Sequence, residues 1–574
     1  MPARDVIPST RQAFERWREA ALAERFDRDP FLGRLLRRCL GPAADALAGE
    51  LRALAAVTGA AFDELVSESN RDENLPALRR HDRDGRRIEE VVFHPAYHEV
   101  GRVFWASRVV AGLAEPGAEV ACGARAYLLA QHGEAGHACP VACTAGAVKL
   151  VQRLGTDDQR RRYLGPLLEP DYDRRLHAAQ FVTEIQGGSD VGRNAVVATP
   201  DPARPGWYRL SGEKWFCSVA DAGLFVISAR LPDAPAGTRG LGLFLVPRRL
   251  EGRPNGFALR RLKAKLGTRS MPTGEIELEG ALGEPVGALD QGFRNLVSIV
   301  LDTSRVHNAL AACGLMRRAC LEAWHFAAQR EAFDRPILGF PAVASTLARM
   351  RLSSQAALAT TFRVLAMTDG LDTGVADPGL VAARRISVML NKYWTALAAT
   401  RSARDGIEVL GGNGTIEDFS PLPRLYRDAI VVESWEGTHN TLCAQIVRDL
   451  ATRDLARPWL ARLASELAEV DQPALAAVAD TGRALLEDAE RRIQRLLAAD
   501  PETAAAWMRP VADRMARLTD WVALAGQARW DLVHTGETDL VDSLALYRAL
   551  WLAPTDPQDD PDRVPLESRL AKTP

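Results

Sequence analysis

The stretch 206-GWYRLSGEKWFCS-218 is the first of four short runs that decide how this chain folds. The others are LFVISARL (224–231), GLGLFLVP (240–247) and TGEIELEGAL (273–282). All four have the composition of β-strands and are cut by Gly, Pro and Asp, which is typical of short strands joined by turns. The segment from about 180 to 288 is therefore predicted to form an antiparallel sheet or a small barrel.

Helical patterns lie on both sides of these strands. Residues 10–65 and about 94–178 have helical texture, and the polar segment 67–87 between them is predicted to be irregular. After the strands, one segment carries apolar residues at three- and four-residue steps: Leu380, Ala383, Ile386, Leu390, Tyr393 and Leu397. This spacing predicts the apolar stripe of a long packed helix.

The expected fold is mainly α with a central β-domain. We expect an N-terminal helical domain with an irregular lead-in (1–178), a central β-domain (179–288), a helical bundle (289–454) and a helical C-terminal extension with an acidic tail (455–574). A chain of 574 residues is too long for one hydrophobic core, which agrees with several domains.

Composition excludes some classes of function. The charged fraction of 25% and the hydrophobic fraction of 47% are ordinary for a globular protein, and a net charge of −2 gives no general attraction to nucleic acid or anionic membranes. The sequence has neither the apolar core of a signal peptide nor a run of about 18 apolar residues, so no membrane association is expected. Eight cysteines without framework spacing predict reduced thiols in a cytoplasmic protein.

One cluster could suggest a metal site. The stretch QHGEAGHACPVAC (131–143) contains His132, His137, Cys139 and Cys143. The two cysteines are not spaced as in the two-residue knuckle of a zinc site. A small-residue helix interface is the favoured interpretation, and no metal is expected.

Three stretches could line a cofactor crevice, which a β-domain between helical domains would create. QFVTEIQGGSDVG (180–192) offers a hydroxyl at Thr183 and a Gly-Gly-Ser turn that an anion could approach, or it is a plain loop. Strand alternation puts Phe216 and Ser218 on one face of the strand. There they would either contact a flat cofactor ring or be ordinary residues in the core and at the rim of the domain. GIEVLGGNGTIED (406–418) lacks the strand–turn–helix context of a dinucleotide fingerprint and is a glycine-rich turn after a helix.

WEGTHN (435–440) places a carboxylate, Glu436, between Trp435 and Gly437. Most glutamates are solvated surface residues, and that is the simple interpretation. The alternative is a general base in a partly desolvated pocket, where burial would raise its pKa.

Together these pieces resemble one family, the acyl-CoA dehydrogenases, which are FAD flavoproteins, and are similar to its adaptive-response (AidB-type) branch. The motifs are RDGRRIEEVVFHPAYHE (83–99), TEIQGGSDV (183–191), GEKWFCSV (212–219), RLKAKLGTRS (261–270), LPRLYRD (422–428) and WEGTHNTLC (435–443). The resemblance covers nearly the whole chain. It implies a helical domain, a β-domain and a four-helix bundle, followed by a helical extension over about 455–550.

The resemblance also implies a set of FAD-binding residues. Those along the flavin and its pyrophosphate are Val182, Thr183, Ser189, Phe216 and Ser218, with the Ser218 hydroxyl near N5. Those from the helical part are Arg330 and Phe333, lent by a neighbouring subunit, and Glu408, Gly411, Gly412, Thr438 and Asn440. Such shared sites imply a homotetramer. At position 408 many relatives have Gln, and a carboxylate beside a diphosphate is electrostatically unfavourable.

In this family Glu436 falls on the catalytic base. It would take a proton from the α-carbon of an acyl-CoA thioester while hydride leaves the β-carbon for flavin N5, and the Gly437 N–H would approach the thioester oxygen. Trp435 stands where many relatives have Tyr and would narrow the acyl slot, so a short, branched or aromatic acyl group is expected. Asp302 and Arg305 resemble a pair that contacts CoA, or they form an intrahelical pair in a first helical turn. An electron-acceptor flavoprotein is a further expected partner.

Two other functions stay open. AidB-type proteins are associated with DNA, but from residue 445 to the end 16 Lys/Arg face 22 Asp/Glu, a balance of −6. Phosphate binding needs clustered positive charge, so DNA association is the weaker alternative.

The stretch PTDPQDDPDRVPLE (554–567) is acidic and expected to be disordered. This fold also hosts flavin monooxygenases and oxidases of small nitrogen compounds, against which a Glu at 436 argues mildly.

Overall fold

The computed structural model of the protein describes residues 3–375, 377–555 and 558–574. Its α-helices are α1 (Ala3–Leu22), α2 (Pro30–Leu40), α3 (Ala43–Val57), α4 (Ala60–Ser69), α5 (Pro95–Ala106), α6 (Glu119–Ala130), α7 (Ala135–Leu154), α8 (Asp157–Leu167), α9 (Gly292–Asn295), α10 (Asp302–Gln329), α11 (Pro341–Asp372), α12 (Pro378–Leu410), α13 (Leu422–Ser434), α14 (His439–Arg453), α15 (Ala456–Ala468), α16 (Ala476–Ala498), α17 (Pro501–His534), α18 (Asp539–Tyr547) and α19 (Arg563–Leu570). Two π-helical turns, Leu296–Leu301 and Arg548–Leu552, adjoin α10 and α18.

The strands are short and lie mostly in the middle of the chain. They are β1 (Ala77–His81), β2 (Arg87–Val92), β3 (Ala178–Phe181), β4 (Val197–Pro200), β5 (Tyr208–Ser218), β6 (Leu224–Arg230), β7 (Leu241–Pro247), β8 (Arg249–Leu250), β9 (Arg253–Pro254), β10 (Phe257–Leu262), β11 (Thr273–Pro285), β12 (Glu331–Ala332) and β13 (Arg335–Pro336). The predicted order of helices, strands and helices with a helical extension is confirmed.

The chain forms two compact units. The sheet unit comprises residues 61–115 and 134–307, and the helical unit comprises the described residues within 1–60, 116–133 and 308–574. Among the residues that the structure describes, no helix combines the length and hydrophobicity that a membrane span requires.

The sheet unit is built around a barrel. The sheet has seven strands. Six of them lie in the order β10-β11-β5-β4-β6-β3, and the seventh, β7, pairs with both β6 and β11. The strands β11, β5, β4, β6 and β7 therefore form a closed circuit, which confirms the predicted small barrel. The pairing is not antiparallel throughout, because β3 and β4 both pair with β6 in parallel. Strands β6 and β7 are buried along nearly their whole length, as their continuous apolar runs require.

The segment 67–87 was expected to be irregular, which is correct for residues 70–76 and 82–86 but wrong for the rest. Helix α4 continues to Ser69, and β1 and β2 form an antiparallel hairpin with Leu78 opposite Val91. Strand β1 is almost fully exposed, so it lacks the apolar alternation by which strands are detected. Glu89 fixes the hairpin, since its carboxylate accepts a hydrogen bond from the Leu259 N–H at 2.7 Å.

Helix α7 carries three of the residues that could have suggested a metal. Cys139 and Cys143 are buried one helical turn apart with their sulfurs 4.0 Å from each other. The His137 Nε2 lies 2.7 Å from the Tyr97 carbonyl, and burial lowers the pKa of His137 to about 3. These three side chains pack in a helix interface, as the sequence favoured.

The helical unit is organised around two long helices, α11 and α12, against which α17 of the extension packs. The apolar stripe predicted on α12 is buried, with Leu397 only partly covered. The acidic stretch 554–567 was expected to be disordered. This expectation is wrong for the residues of that stretch that lie in α19. Trp324 Nε1 donates to the Ala571 carbonyl at 2.8 Å, and Arg351 donates to that of Leu570 at 2.9 Å. Residues 556 and 557 of that stretch lie outside the described residues.

A buried carboxylate connects the extension to both long helices. Asp520 on α17 accepts hydrogen bonds from Thr360 Oγ1 on α11 at 2.8 Å, Trp394 Nε1 on α12 at 2.8 Å and the Tyr547 hydroxyl at 3.1 Å. Burial raises the pKa of Asp520 to about 6, although the three donors oppose that shift. The folded chain therefore holds the Asp520 proton more tightly than the unfolded chain does.

We expect the replacement Asp520→Asn to remove a pH dependence of stability. Because the folded pKa is raised, the stability that protonated Asp520 contributes is present at low pH and is lost as pH rises through about 6. The stability of wild type relative to Asp520→Asn should fall by about 2 kcal/mol from pH 4 to pH 7. Thermal unfolding at a series of pH values measures this difference. The control Asp480→Asn, at an exposed residue of α16, should show a constant difference, and a constant difference for Asp520→Asn would contradict the assignment.

Candidate functional site

In the sheet unit, the end of β5 presents an aromatic face. Phe216 is 53% exposed and Ser218 is half-buried, whereas Cys217 between them is fully buried, as the predicted alternation requires. The Lys263 ammonium lies 3.5 Å from the centre of the Trp215 ring and 4.9 Å from that of Phe216. An aromatic this exposed beside a cation is a suitable surface for a flat, electron-rich or anionic ring.

The segment after β3 is held against this strand. Val182 and Thr183 are half-buried, and the Trp215 N–H donates to the Thr183 carbonyl at 2.9 Å. The Val182 carbonyl accepts from Asn194 Nδ2 at 2.7 Å and from Lys214 Nζ at 3.3 Å. The structure therefore brings Val182 and Thr183 beside the strand that carries Phe216 and Ser218.

A fully buried ion pair lies under this segment. The Lys214 and Glu184 side chains are 0% and 4% exposed, and Lys214 Nζ is 2.8 Å from Glu184 Oε1. Burial lowers the pKa of Lys214, and Glu184 opposes that shift. For Glu184, burial alone would raise the pKa, but Lys214 and the Ala195 and Val196 N–H groups bring it below its ordinary value. Each of the two groups therefore favours the charged form of the other.

The Gly-Gly-Ser turn follows directly. Gly187 has a φ of +129° and its N–H donates to the Glu184 carbonyl at 3.0 Å. A Cβ on Gly188 would lie 2.7 Å from the Thr183 hydroxyl, so only glycine fits there. Ser189 is exposed at the tip of this turn. The turn is thus packed against Thr183 at Gly188 and open at Gly187, where no atom lies within 4 Å of a built Cβ.

Asp302 and Arg305 lie where α10 begins and are 9% and 5% exposed. The backbone before them is the π-helical turn, so Asp302 does not start an isolated helix, and π-turns are frequent at functional sites. One residue before Arg305, Ser304 is hydrogen-bonded to Gln180 of β3 at 3.1 Å. This first turn is therefore tied to the segment that carries Val182.

In the helical unit, Glu436 lies in a strained turn between α13 and α14. Its φ is +56°, in a region that residues other than glycine rarely adopt, and Gly437 follows at +105°. Lys392, which is fully buried on α12, donates to the carbonyls of Glu433 at 2.9 Å and of Gly437 at 2.8 Å. The turn is fixed on both sides of Glu436, and the strain persists because these contacts hold it.

Trp435 and Glu436 are both half-buried, and Thr438 and Asn440 are exposed at the start of α14. The Thr438 and Thr441 hydroxyls are 3.0 Å apart. One end of α14 therefore brings together Trp435, Glu436, Gly437, Thr438 and Asn440, all of which the sequence had singled out.

Arg330 and Phe333 lie in the hairpin β12–β13. Phe333 is 89% exposed, and both residues of the tip, Phe333 and Asp334, have positive φ values of +52° and +62°. The hairpin closes through the Ile337 N–H and the Arg330 carbonyl at 2.8 Å. The Phe333 ring contacts that of Phe340 edge-on, with their centres 6.2 Å apart, and otherwise projects from the strained tip.

Glu408 and the two glycines after α12 also lie together. The Gly411 N–H donates to the Glu408 carbonyl, and Gly411 has a φ of +62°. No atom lies within 4 Å of a Cβ built on Gly411 or Gly412, so their backbone is open to approach. The Glu408 side chain is exposed.

Three family models match the chain in series. The adaptive response protein AidB N-terminal domain matches residues 18–174, the acyl-CoA dehydrogenase middle domain 179–281 and the acyl-CoA dehydrogenase C-terminal domain 290–451. AidB of Escherichia coli (strain K12) is 36% identical over 392 residues, which are 66% of this chain and 69% of AidB. The chain belongs to the acyl-CoA dehydrogenase family.

Other proteins resemble it over a similar or greater length. Acyl-CoA dehydrogenase family member 11 of Caenorhabditis elegans is 31% identical over 443 residues, 73% of this chain and 69% of that protein. The crystal structure of Caenorhabditis elegans ACDH-11 in complex with C11-CoA superposes with a TM-score of 0.84 at 25% identity, covering 92% of this chain and 91% of that one. The apo form of Bd2924 gives a TM-score of 0.80 at 27% identity, covering 89% and 98%. The family models end at residue 451, and residues 1–451 are too few to make up 89% or 92% of this chain. The structural likeness therefore includes part of the extension.

The acyl-CoA dehydrogenase family consists of FAD-dependent oxidoreductases that act on CH–CH groups. The residues present fit that cofactor. Phe216 offers an exposed ring, and the backbone at Gly187, Gly411 and Gly412 is unobstructed by neighbouring atoms, as a bulky dinucleotide requires.

Sequence reasoning missed the buried residues that hold this site, namely Glu184, Lys214 and Lys392. Each is a charged residue within a quoted motif or within the helix that carries the apolar stripe. A charge is unusual in such a place, and this was the signal in the sequence that could have revealed these residues. Their partners lie 30 or more residues away in the sequence, so only the fold reveals them.

Replacing Lys214 by Met should leave the Glu184 carboxylate buried without its counter-charge. We expect Lys214→Met to destabilise the protein by about 3–5 kcal/mol, and the double variant with Glu184→Gln to recover part of that loss. Thermal and urea unfolding measure the effect. The control Arg260→Met breaks an exposed ion pair with Glu213 on the same sheet and should cost no more than ~1 kcal/mol. Equal losses for the two single variants would contradict the role of burial.

Proposed function

We propose that this protein oxidises an acyl-CoA thioester between its α- and β-carbons with Glu436 as the base. The observation that supports this most directly is the strained turn at Glu436, which Lys392 holds through carbonyls on both sides. A solvated surface glutamate needs no such support. A base that must meet one C–H bond needs a fixed position.

In this proposal the Glu436 carboxylate removes the α-proton and keeps it. Bound FAD would supply the acceptor, at N5, for the hydride that leaves the β-carbon. The Gly437 N–H would donate to the thioester oxygen and so stabilise the negative charge that develops there. Partial burial beside Trp435 would favour the neutral, protonated carboxyl group and so strengthen the base.

The proposed cofactor-binding residues form two sets. The sheet unit would contribute Val182, Thr183, Ser189, Phe216 and Ser218. The helical unit would contribute Arg330, Phe333, Glu408, Gly411, Gly412, Thr438 and Asn440. What supports these assignments is the open backbone of the glycines and the unusual exposure of Phe216 and Phe333.

The proposed substrate is a short, branched or aromatic acyl-CoA, because Trp435 would narrow the acyl slot. Support for a CoA thioester comes from ACDH-11, whose crystal structure is a complex with C11-CoA. Asp302 and Arg305 would contact the CoA portion. Reoxidation by an electron-transferring flavoprotein completes the proposed cycle.

We also propose four domains with boundaries near residues 178, 288 and 454, which the family-model ranges support. A cytoplasmic location is proposed from the eight cysteines, none of which forms a disulfide in the part of the chain that the structure describes.

Anaerobic titration with acyl-CoA thioesters tests the reaction. The flavin band at about 450 nm should bleach with the correct thioester. Glu436→Gln should keep its flavin but bleach about 10²–10⁴-fold more slowly, since glutamine cannot accept the proton. The control Glu417→Gln, at an exposed glutamate, should bleach like wild type. Unchanged bleaching of Glu436→Gln would place the base elsewhere.

A panel of branched, aromatic, C11 and palmitoyl thioesters tests which acyl group the protein accepts. Equal bleaching rates for palmitoyl and short branched thioesters would refute the proposal that Trp435 narrows the acyl slot.

The exposed hairpin tip predicts that assembly and flavin binding are coupled. If a neighbouring subunit's cofactor covers Phe333, then Phe333→Ser should weaken FAD retention at least about tenfold and shift the tetramer toward smaller species. The flavin-to-protein ratio and sedimentation velocity measure the two effects. Trp507→Ser, which also removes an exposed aromatic, serves as the control and should change neither. A Phe333→Ser variant that remains a tetramer with full flavin content would overturn this role.

A further inference from the structure

A hydrogen bond between two side chains spans the turn that carries Glu436. Helix α13 ends at Ser434 and α14 begins at His439, so the turn is short. His439 Nε2 lies 2.8 Å from the Glu433 carboxylate and so connects the end of one helix to the start of the next. The two side chains are only 13% and 22% exposed, which limits competition from water for this bond.

His439 is the donor of this hydrogen bond. Burial lowers the pKa of His439 below its ordinary value of 6.5, although Glu433 opposes the shift. The imidazole is therefore neutral at pH 7 and carries one N–H. That proton lies on Nε2, because the other tautomer would place a lone pair against the carboxylate. Nδ1 then carries no proton, and in the described part of the chain it has no hydrogen-bond partner.

Glu433 is itself fixed on α12. Its second carboxylate oxygen accepts from the Thr400 hydroxyl, and its backbone carbonyl accepts from Lys392 Nζ at 2.9 Å. Both donors lie on α12, so Glu433 cannot follow His439 if α14 moves. The bond from His439 therefore ties the start of α14 to a fixed residue and sets the span of the turn.

His439 also packs on a ring that the C-terminal extension holds. The Tyr393 ring and the imidazole form a T-shaped pair with their centres 5.1 Å apart. The Tyr393 hydroxyl donates to the Asp513 carboxylate on α17, and the Arg509 guanidinium of the same helix lies 6.0 Å from the centre of the Tyr393 ring. Burial raises the pKa of Tyr393 and Asp513 raises it further, so the phenol keeps its proton and remains a donor.

We propose that the C-terminal extension positions the base through this chain of contacts. Asp513 holds the Tyr393 ring, and that ring holds the His439 imidazole. His439 in turn closes the Glu436 turn on Glu433. This role rests on the proposed function, because the position of Glu436 matters for the reaction only if Glu436 is the base. A base must meet one C–H bond, so a shift of the turn by about 1 Å would slow the reaction.

Hydrogen exchange of the flavin-loaded protein, followed by mass spectrometry, tests how the turn is held. His439→Leu removes the donor, whereas His439→Gln keeps an amide N–H at the position of Nε2. We expect amide exchange over residues 435–443 to rise at least about tenfold in His439→Leu, because the lost hydrogen bond has a charged acceptor. His439→Gln should restore slow exchange. Unchanged exchange in His439→Leu would refute the role of His439.

Tyr393→Phe tests the part played by the extension. The variant deletes one hydroxyl and keeps the ring beside His439, so we expect the same segment to exchange about three- to tenfold faster. The control Tyr163→Phe deletes a hydroxyl that donates to Glu284 at 2.8 Å, the same kind of bond in the sheet unit, and should leave the segment unchanged. Exchange in Tyr393→Phe equal to that of wild type would show that the extension does not hold the turn.

Flavin bleaching by a thioester tests the effect on the base. The limiting bleaching rate of His439→Leu should fall about 10- to 100-fold, with the half-saturating thioester concentration changed less than about threefold, because the base is misplaced and thioester binding is not. A loss through thioester binding alone would contradict positioning. Wild-type bleaching in Glu436→Gln would refute the proposed function, and a base elsewhere would leave His439 nothing to position. Slow bleaching of Glu436→Gln with normal bleaching of His439→Leu would refute only the role of His439.

Discussion

A buried ammonium group must have an acceptor for its charge, and this constraint fixes two of the segments that carry proposed site residues. In the helical unit Lys392 donates to the carbonyls of Glu433 and Gly437 and so sets the turn that carries Glu436. In the sheet unit Lys214 donates to the Val182 carbonyl and so holds that segment, and Glu184 is its counter-ion. Leaving either ammonium unpaired in the interior would cost several kcal/mol, so the loops cannot drift without a large loss of stability.

The sequence was sufficient for the order of the helical and β-rich regions, and it selected the segments of the proposed site, but it did not reveal the contacts that hold them. Apolar runs revealed β6 and β7 because both are buried, whereas the exposed strand β1 left no such pattern. The helix α19 was missed for a related reason. Its acidic composition suggested disorder, yet Leu570 and Ala571 are buried, and pairing between Arg563 and Glu567 offsets the charge. The partners of Lys392 and Lys214 are distant in the chain and depend on tertiary packing.

The C-terminal extension uses its polar residues mainly within the fold. Asp520 accepts from Thr360 and Trp394, and Glu466 pairs with Arg363, so two helices of the extension are joined to the long helices α11 and α12. Residues engaged in this way are not available to phosphates. Together with the balance of −6 beyond residue 445, this favours a bracing role for the extension over a nucleic-acid surface.

Two local departures from ordinary protein structure share one explanation. The backbone at Glu436 is strained, and the ring of Phe333 is 89% exposed. Each costs free energy in the isolated chain, and a folded protein of marginal stability keeps such costs only where something offsets them. In the proposed function a substrate would use the fixed base, and a neighbouring subunit would cover the ring. The unfavourable features of the single chain therefore support these two proposals independently of any family likeness.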